Sequence, residues 1–286
     1  MATTGGPNVQ VMEQEYNARA SIPDHPQIFA RWAEQGALTR RRRAGLIDVP
    51  YGQDPGERLD FFPTVQKDSP LFVFIHGGYW RSLDKFDFSW IAPPLLDAGV
   101  SVAFLNYGLA PRLPVEEMVR QQLRALAWLH GRADELGFER DRIVVGGHSA
   151  GAHLTAMMMA ALWRKLDPAL PIDLVKGGVG ISGIYDLEPL VPLPFINTDL
   201  RLDVASARKV SPVRLPPATR APLLTAVGAL ESSEFKRQTQ LIHTAWPHIA
   251  REELEVAGAN HLTVCDVLAD PGSALFRATL DLIRAA

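Results

Sequence analysis

The feature that most constrains the fold of this chain is a serine set between glycines, with an apolar run before it and a helical pattern after it. Residues 147–151 read Gly-His-Ser-Ala-Gly. The apolar residues 143–145 predict a buried strand, and residues 152–162 predict a helix. Small residues on a strand–turn–helix connection permit a sharp turn that projects the serine hydroxyl away from the backbone. The pattern therefore predicts that Ser149 is a nucleophile at the carboxyl end of a strand.

Apolar runs alternate with helical patterns along most of the chain, and this alternation predicts the fold class. Candidate strands lie at residues 48–51, 58–62, 71–75, 100–105, 142–145, 177–181, 222–227 and 252–256, and helical patterns at 26–41 and 115–136. Such an order predicts an α/β chain with a mostly parallel central sheet and helices on both faces. Since these sheets hold ligands at the carboxyl ends of their strands, functional residues are expected directly after the apolar runs.

Residues 187–216 interrupt the alternation, because they contain several prolines and no clear strand or helix pattern. One interpretation is a long surface connection, and the other is a small lid over the functional site. Long loops often serve as lids, so we favour the second. The lid would belong to a single domain that spans residues 1–286.

A second glycine-containing segment follows the third predicted strand. Residues 76–80 read His-Gly-Gly-Tyr-Trp. Glycines let bare backbone N–H groups approach a ligand closely. In an acyl-transfer reaction, the N–H groups of Gly77, Gly78 and Tyr79 would join that of Ala150 in an oxyanion hole.

Side chains beside these glycines are candidates for substrate contacts. Tyr79, Trp80 and His148 are expected to line the substrate pocket, with a packing role as an equal alternative for Trp80. His76 is expected to shape its loop through hydrogen bonds rather than to act as a base.

A serine hydroxyl is a weak nucleophile until a neighbouring imidazole takes its proton. Among the eight histidines of the chain, His148 is held in the turn beside Ser149, and His153 lies on the helix that follows. His261 is better placed, because it lies in a loop after the last predicted strand. The sequence therefore predicts that His261 is the base.

The acid that orients this histidine is expected between the serine and the histidine in the chain. Glu231 follows the strand at 222–227 and lies on a turn, so it is the preferred acid. Glu234 is an alternative that is expected to begin the next helix, where a carboxylate suits the helix dipole. Asp186, which follows an earlier strand, is a further alternative.

Charge and composition exclude several classes of function. The formal net charge of −3 gives no electrostatic reason to expect nucleic acid or an anionic membrane as a partner. The four arginines at 40–43 are expected to form a solvated helix end. Cys265 is the single cysteine, so no internal disulfide is expected, and it is interpreted as a core residue.

The N-terminal residues and the apolar runs bear on location. Residues 1–7 lack the basic and apolar regions of a signal peptide. No apolar run reaches the length of about 18 residues that a membrane span requires. The chain is therefore expected in the cytoplasm.

The chain resembles the arylformamidase group of α/β-hydrolases, which includes the animal-type kynurenine formamidases and their bacterial relatives. The resemblance covers nearly the whole length and is carried by residues 15–19, 51–52, 59–61, 76–80, 147–154, 182–187, 234–235 and 238. It implies an α/β-hydrolase fold and a triad of Ser149, Glu231 and His261. The better-known members carry aspartate where this chain has Glu231, which leaves a direct transfer of the formylkynurenine substrate open.

The resemblance implies hydrolysis of a small-molecule amide or ester with an aromatic amine or alcohol portion. Three functions compete: an aryl-amide or formamide hydrolase, a general carboxylesterase for short acyl esters, and a binding protein that keeps the fold without its chemistry. The first is preferred. No metal or other cofactor is expected, and the oligomeric state, a homodimer included, is left open.

Overall fold

Eight strands form one sheet, with the most apolar runs of the sequence at its centre. The computed structural model describes residues 8–286; residues 1–7, on which the signal-peptide expectation rests, lie outside the described residues. The strands are β1 Leu46–Pro50, β2 Arg58–Phe62, β3 Ser69–Ile75, β4 Ser101–Leu105, β5 Phe138–His148, β6 Val175–Ile181, β7 Leu223–Gly228 and β8 Ala250–Val256. Their order is β1-β2-β4-β3-β5-β6-β7-β8. β2 pairs antiparallel with β1 and β4, and the remaining pairs are parallel.

Helices cover both faces of this sheet, which confirms the predicted α/β architecture. They are α1 Val9–Tyr16, α2 His25–Arg42, α3 Ala92–Asp97, α4 Val115–Gly131, α5 Ala133–Leu136, α6 Ala150–Met159, α7 Trp163–Leu166, α8 Pro194–Leu200, α9 Val204–Lys209, α10 Ser233–Ala245, α11 Thr263–Leu268 and α12 Ala274–Ala285. The side chains of α4, α6 and α10 pack in one buried cluster. Those of α2, α3, α11 and α12 pack in a second cluster on the opposite face.

Strand β3 shows how the sequence builds these two layers. Leu71, Val73 and Ile75 point into the first cluster, whereas Phe72 and Phe74 point into the second. Successive side chains of a strand point to opposite faces, so a strand buried on both faces must be apolar at every position. Burial of each such side chain contributes about 1.5–3 kcal/mol relative to its exposure. The continuous apolar run thus fixes β3 in the middle of the sheet.

Three details of the helices differ from the sequence prediction. The helix predicted at 115–136 is broken into α4 and α5 at Arg132, directly after Gly131, which is a poor helix former. The segment 187–216 contains α8 and α9, although its prolines predicted little regular structure. Helix α1 has no counterpart in the prediction.

The arginine run at 40–43 is only partly the solvated helix end that the sequence predicts. Arg41 and Arg42 are exposed. The Arg40 guanidinium instead donates to the carbonyl of Phe86 at 2.5 Å and to the Ser89 hydroxyl at 3.0 Å. The long arginine side chain reaches back over the connection that precedes α3, and it satisfies a carbonyl there.

Cys265 lies on α11 and is completely buried, as expected of a core residue. Burial raises the pKa of its thiol well above the ordinary value. Among the helices within residues 8–286, none combines the length and the apolar composition that a membrane crossing requires.

Candidate active site

Ser149 lies on the sharp turn that joins β5 to α6. Its φ of 56° is unusual for a residue with a side chain, and its N–H donates to the carbonyl of Ile181 at 2.8 Å. A Cβ on the following Gly151 would lie 1.9 Å from the carbonyl oxygen of Ile75. Glycine is therefore required for α6 to start this close to β3, and the turn holds the serine at the carboxyl edge of the sheet.

His261 connects Ser149 to Glu231. Its Nε2 lies 3.1 Å from the Ser149 Oγ, and its Nδ1 lies 2.7 Å from the Glu231 Oε2. Since an ionised carboxylate only accepts hydrogen bonds, Nδ1–H donates to Glu231 and Nε2 is free to accept from the serine hydroxyl. The imidazole lies between the rings of Phe235 and His148, at centroid distances of 4.1 and 4.8 Å. These contacts fix its plane.

The Glu231 carboxylate has a partner for each oxygen. While Oε2 faces His261, Oε1 accepts from the Ser182 hydroxyl at 2.5 Å and from the N–H of Gly228 at 2.6 Å. The side chain of Glu231 is 0% exposed. Its charge is thus stabilised by three donors and no solvent.

The two alternative acids lie elsewhere. The Asp186 carboxylate accepts from the N–H of Glu188 at 3.1 Å. Glu234 begins α10, as the sequence predicts, and accepts from Tyr16 and Arg237. Within residues 8–286 neither carboxylate bonds to the base, so the structure brings the preferred acid, and not its competitors, to the histidine.

The glycine segment after β3 lies against the nucleophile. A Cβ on Gly77 would lie 3.2 Å from the Ser149 Cβ and 2.8 Å from the carbonyl oxygen of His148. Gly78 has a φ of 103°, and a Cβ there would lie 2.0 Å from the Ser82 carbonyl. Tyr79 continues in the left-handed region with a φ of 54°. The candidate oxyanion segment is therefore adjacent to the serine, and it follows a path that requires glycine.

Two of the predicted substrate-contacting side chains are anchored to neighbouring segments. The Tyr79 hydroxyl donates to the carbonyl of Tyr16, and its ring meets Phe195 edge-on at 5.8 Å. Trp80 is completely buried and donates its Nε1–H to the Nδ1 of His153 at 3.2 Å. These contacts favour the packing alternative for Trp80.

The two histidines that flank the reacting groups are buried and hold loops. The Nε2–H of His148 donates to the carbonyl of His261 at 2.7 Å, and His76 donates to the carbonyl of Gly77 at 2.8 Å. The His76 ring stacks on Tyr107 at 4.5 Å. Burial lowers the pKa of both imidazoles, that of His148 strongly, so both are neutral near pH 7. Neutral His148 therefore holds the loop that carries the base through its hydrogen bond to the His261 carbonyl.

Residues 15–24 form a wall beside the base and the acid, which the sequence analysis did not predict. The Ser232 hydroxyl donates to the carbonyl of Glu15 at 2.6 Å, and the Tyr16 hydroxyl bonds to Glu234 and Gln238 at 2.8 Å each. A cavity of about 230 Å³ lies between this wall and the base; it is lined by Glu15, Ala18, Ser21, Ile22, Pro23, Asp24, Leu230, Glu231, Ser232, Phe235, Asn260 and His261. The resemblance at residues 15–19 was the sequence signal for this wall, but it did not indicate what these residues contact.

The segment 187–216 packs on the candidate oxyanion segment. Arg81 donates to the Phe195 carbonyl and to the Asp199 carboxylate, both at 2.7 Å. The His153 Nε2–H donates to the carbonyl of Val210 at 2.7 Å. Residues at both ends of the segment are thus tied to the loop after β3 or to the helix after the serine.

His153 makes stability depend on pH. It accepts from Trp80 and donates to Val210, and burial lowers its pKa from 6.5 to about 4. Between these two values the unfolded chain binds more protons than the folded chain, so stability is complete above pH 6.5 and falls towards pH 4. We expect the free energy of unfolding to fall by about 3 kcal/mol over this window from His153 alone.

Urea unfolding at a series of pH values measures this dependence. His153→Leu should be less stable at pH 7 but should show a flatter decline towards acid. The matched control is His248→Leu, because His248 is exposed and should keep the wild-type slope. An unchanged slope in His153→Leu would contradict the assignment.

Among residues 8–286, no group of three or more His, Cys, Asp or Glu side chains is arranged to hold a metal ion.

Comparison with known proteins shows similarity over nearly the whole chain. Residues 59–174 match the BD-FAE family. The chain is 30% identical to the kynurenine formamidase of Danio rerio, over 96% of this chain and 94% of that protein. It is 32% identical to esterase LipC of Mycobacterium tuberculosis over 54% of this chain and 40% of that protein. A crystal structure of a protein from Silicibacter sp. superposes with a TM-score of 0.83 at 28% identity, covering 95% of this chain and 98% of that chain.

Proposed function

This chain belongs to the kynurenine formamidase family of α/β-hydrolases and is a hydrolase of formamide or ester bonds, and from this premise we propose that it cleaves a small aryl amide, formamide or aryl ester through an acyl-enzyme on Ser149. The observation that carries the proposal is the order of hydrogen bonds from Ser149 to His261 to Glu231. A nucleophile, a base and an orienting acid are joined in the sequence of contacts that serine hydrolysis requires.

In the first half of the reaction, Ser149 attacks the substrate carbonyl while His261 Nε2 takes its proton. The imidazole becomes positively charged, and the carboxylate of Glu231 offsets this charge at Nδ1. Because the Glu231 side chain has no solvent contact, its field acts on the imidazolium with little screening.

The tetrahedral intermediate carries a negative charge on the former carbonyl oxygen. Backbone N–H groups of Gly77, Gly78 or Tyr79, together with that of Ala150 at the start of α6, are the proposed donors to this oxygen. Removal of one such donor typically costs about 3 kcal/mol of transition-state stabilisation. The close approach of Gly77 to Ser149 supports this role, because only bare backbone fits there.

Collapse of the intermediate requires a proton on the leaving group, which His261 supplies. An aryl amine leaves more readily than an alkyl amine, and an aryl alcohol needs still less help. Water then attacks the acyl-enzyme by the reverse path, with His261 again as the base.

A general carboxylesterase for short acyl esters is the second candidate, and the similarity to esterase LipC supports it. Both candidates use the same side chains, so substrate kinetics must separate them. We expect measurable kcat/KM on both an acyl anilide and the matched acyl phenyl ester, with the ester faster. Turnover of the ester with negligible turnover of the anilide would reject the amide proposal and leave the carboxylesterase.

The third candidate, a binding protein without chemistry, is tested by covalent labelling. An organophosphate should add to Ser149 in the native protein, and mass spectrometry of the labelled peptide should locate it. The absence of labelling together with the absence of ester turnover would reject the hydrolytic mechanism itself.

A further inference from the structure

The dipeptide at the end of β6 contacts two of the three proposed catalytic residues. The carbonyl of Ile181 accepts from the N–H of Ser149 at 2.8 Å, and the N–H of Ser182 donates to the carbonyl of Ala226 at 2.7 Å. The Ser182 hydroxyl donates to the Glu231 Oε1 at 2.5 Å. Two consecutive residues, Ile181 and Ser182, therefore contact the nucleophile and the acid respectively.

The backbone conformation of Ser182 and the hydrogen bond of its hydroxyl indicate a role beyond packing. It is completely buried, and its φ of 51° lies in the left-handed region, which a serine adopts only at some cost. Its hydroxyl hydrogen has a carboxylate oxygen as acceptor, and a carboxylate cannot donate in return. The direction of the hydrogen bond is thus fixed from Ser182 to Glu231.

We propose that Ser182 is a positioning residue of the hydrolytic reaction, which holds the Glu231 carboxylate so that Oε2 faces His261; this role rests on the function proposed above. The hydroxyl and the N–H of Gly228 bind Oε1 from two adjacent strand ends, those of β6 and β7. Two donors on one oxygen fix the rotation of the carboxylate about its last bond. The remaining oxygen then has one direction, towards Nδ1 of the base.

The position of Ser182 also couples the acid to the nucleophile. β6 and β7 are parallel neighbours with Ile181 opposite Ala226, so a shift of this strand end would move the support of Glu231 and that of Ser149 together. Removal of the hydroxyl leaves the strand end in place, because the backbone bonds remain. The loss of the hydroxyl is therefore expected to affect the Glu231 carboxylate and not the backbone.

Replacement of Ser182 tests this role with two variants of opposite backbone preference. Ser182→Ala and Ser182→Gly both remove the hydroxyl, but glycine adopts the left-handed conformation freely and should fit this backbone better than alanine. We expect kcat for an aryl ester to fall about tenfold in both variants, with KM nearly unchanged. Wild-type kcat in the glycine variant would overturn the proposal.

A double-mutant cycle distinguishes positioning from general destabilisation. If the hydroxyl acts through Glu231, its removal in a Glu231→Ala background should change kcat by less than about twofold. The same tenfold loss in that background would show that Ser182 acts through another path and would overturn the proposal. The matched control is Ser69→Ala, because Ser69 is also completely buried and hydrogen-bonded through its hydroxyl, but lies at the opposite end of the sheet.

The experiments distinguish failure of the proposed function from failure of the role proposed for Ser182. If the wild type neither turns over the ester nor reacts with an organophosphate, the proposed function fails. If the wild type is active and labelled while both Ser182 variants keep its kcat, only the role of Ser182 fails.

Discussion

Ser149→Ala is expected to lower kcat for an aryl ester by about 10⁵–10⁶-fold and to abolish labelling by an organophosphate. The variant removes the protein atom that forms a covalent bond to the acyl group in the proposed mechanism. The hydroxyl is 3.1 Å from the base, and no other hydroxyl takes that contact among the described residues. Alanine keeps the backbone bond from residue 149 to Ile181, so the turn should persist.

The control for this change is again Ser69→Ala, which removes a buried hydroxyl of the same kind without touching the site. It should keep wild-type kcat and full labelling. Thermal unfolding of both variants should show that neither result comes from loss of the fold. Residual labelling of the Ser149→Ala protein at the wild-type rate would reject Ser149 as the nucleophile.

Glu231→Gln is expected to lower kcat by about 10⁴-fold, for a reason that the hydrogen bonds make specific. The N–H of Gly228 and the hydroxyl of Ser182 both donate at the Oε1 position, so the amide oxygen of glutamine must occupy it. The amide NH₂ then faces Nδ1 of His261, which can pair with it only as an acceptor. That tautomer carries its proton on Nε2 and cannot take the proton of the serine.

The matched control for the acid is Asp186→Asn. Asp186 was an alternative in the sequence, but its carboxylate bonds to the backbone of Glu188, whereas the base bonds to Glu231. It should leave kcat unchanged within about twofold. Loss of activity in Asp186→Asn with retention in Glu231→Gln would reverse the assignment of the acid. Steady-state kinetics on the same ester measures both variants.

The strands and the turn at Ser149 could be predicted from the sequence because their residue patterns are short and contiguous. A strand buried on both faces is apolar at each position, as in β3, and the glycines around Ser149 are demanded by contacts at under 3 Å. Glu231 and His261 could be placed because each follows a strand of a parallel sheet. That these residues meet also depends on the order of the strands, which the structure shows and which the alternation of elements alone does not give.

Other features depend on partners that a single sequence does not reveal. Helix α1 is short, and its last residue, Tyr16, is fixed by Glu234 and Gln238, more than 200 positions away. The sequence predicted that Arg40 belongs to a solvated helix end, whereas its guanidinium donates to the carbonyl of Phe86 in the structure. Ser182 begins one of the segments that carry the resemblance, but the sequence assigned it no role, because its hydroxyl acts on a carboxylate that follows another strand.

The wall formed by residues 15–24 joins the early part of the chain to the segment that carries the proposed acid. Its hydrogen bonds to the loop and helix after β7 span 217 and 218 positions of sequence. The same loop presents the Glu231 carboxylate to His261. Two segments that are far apart in the chain therefore meet beside the imidazole, and the geometry of the acid depends on residues at both ends of the sequence.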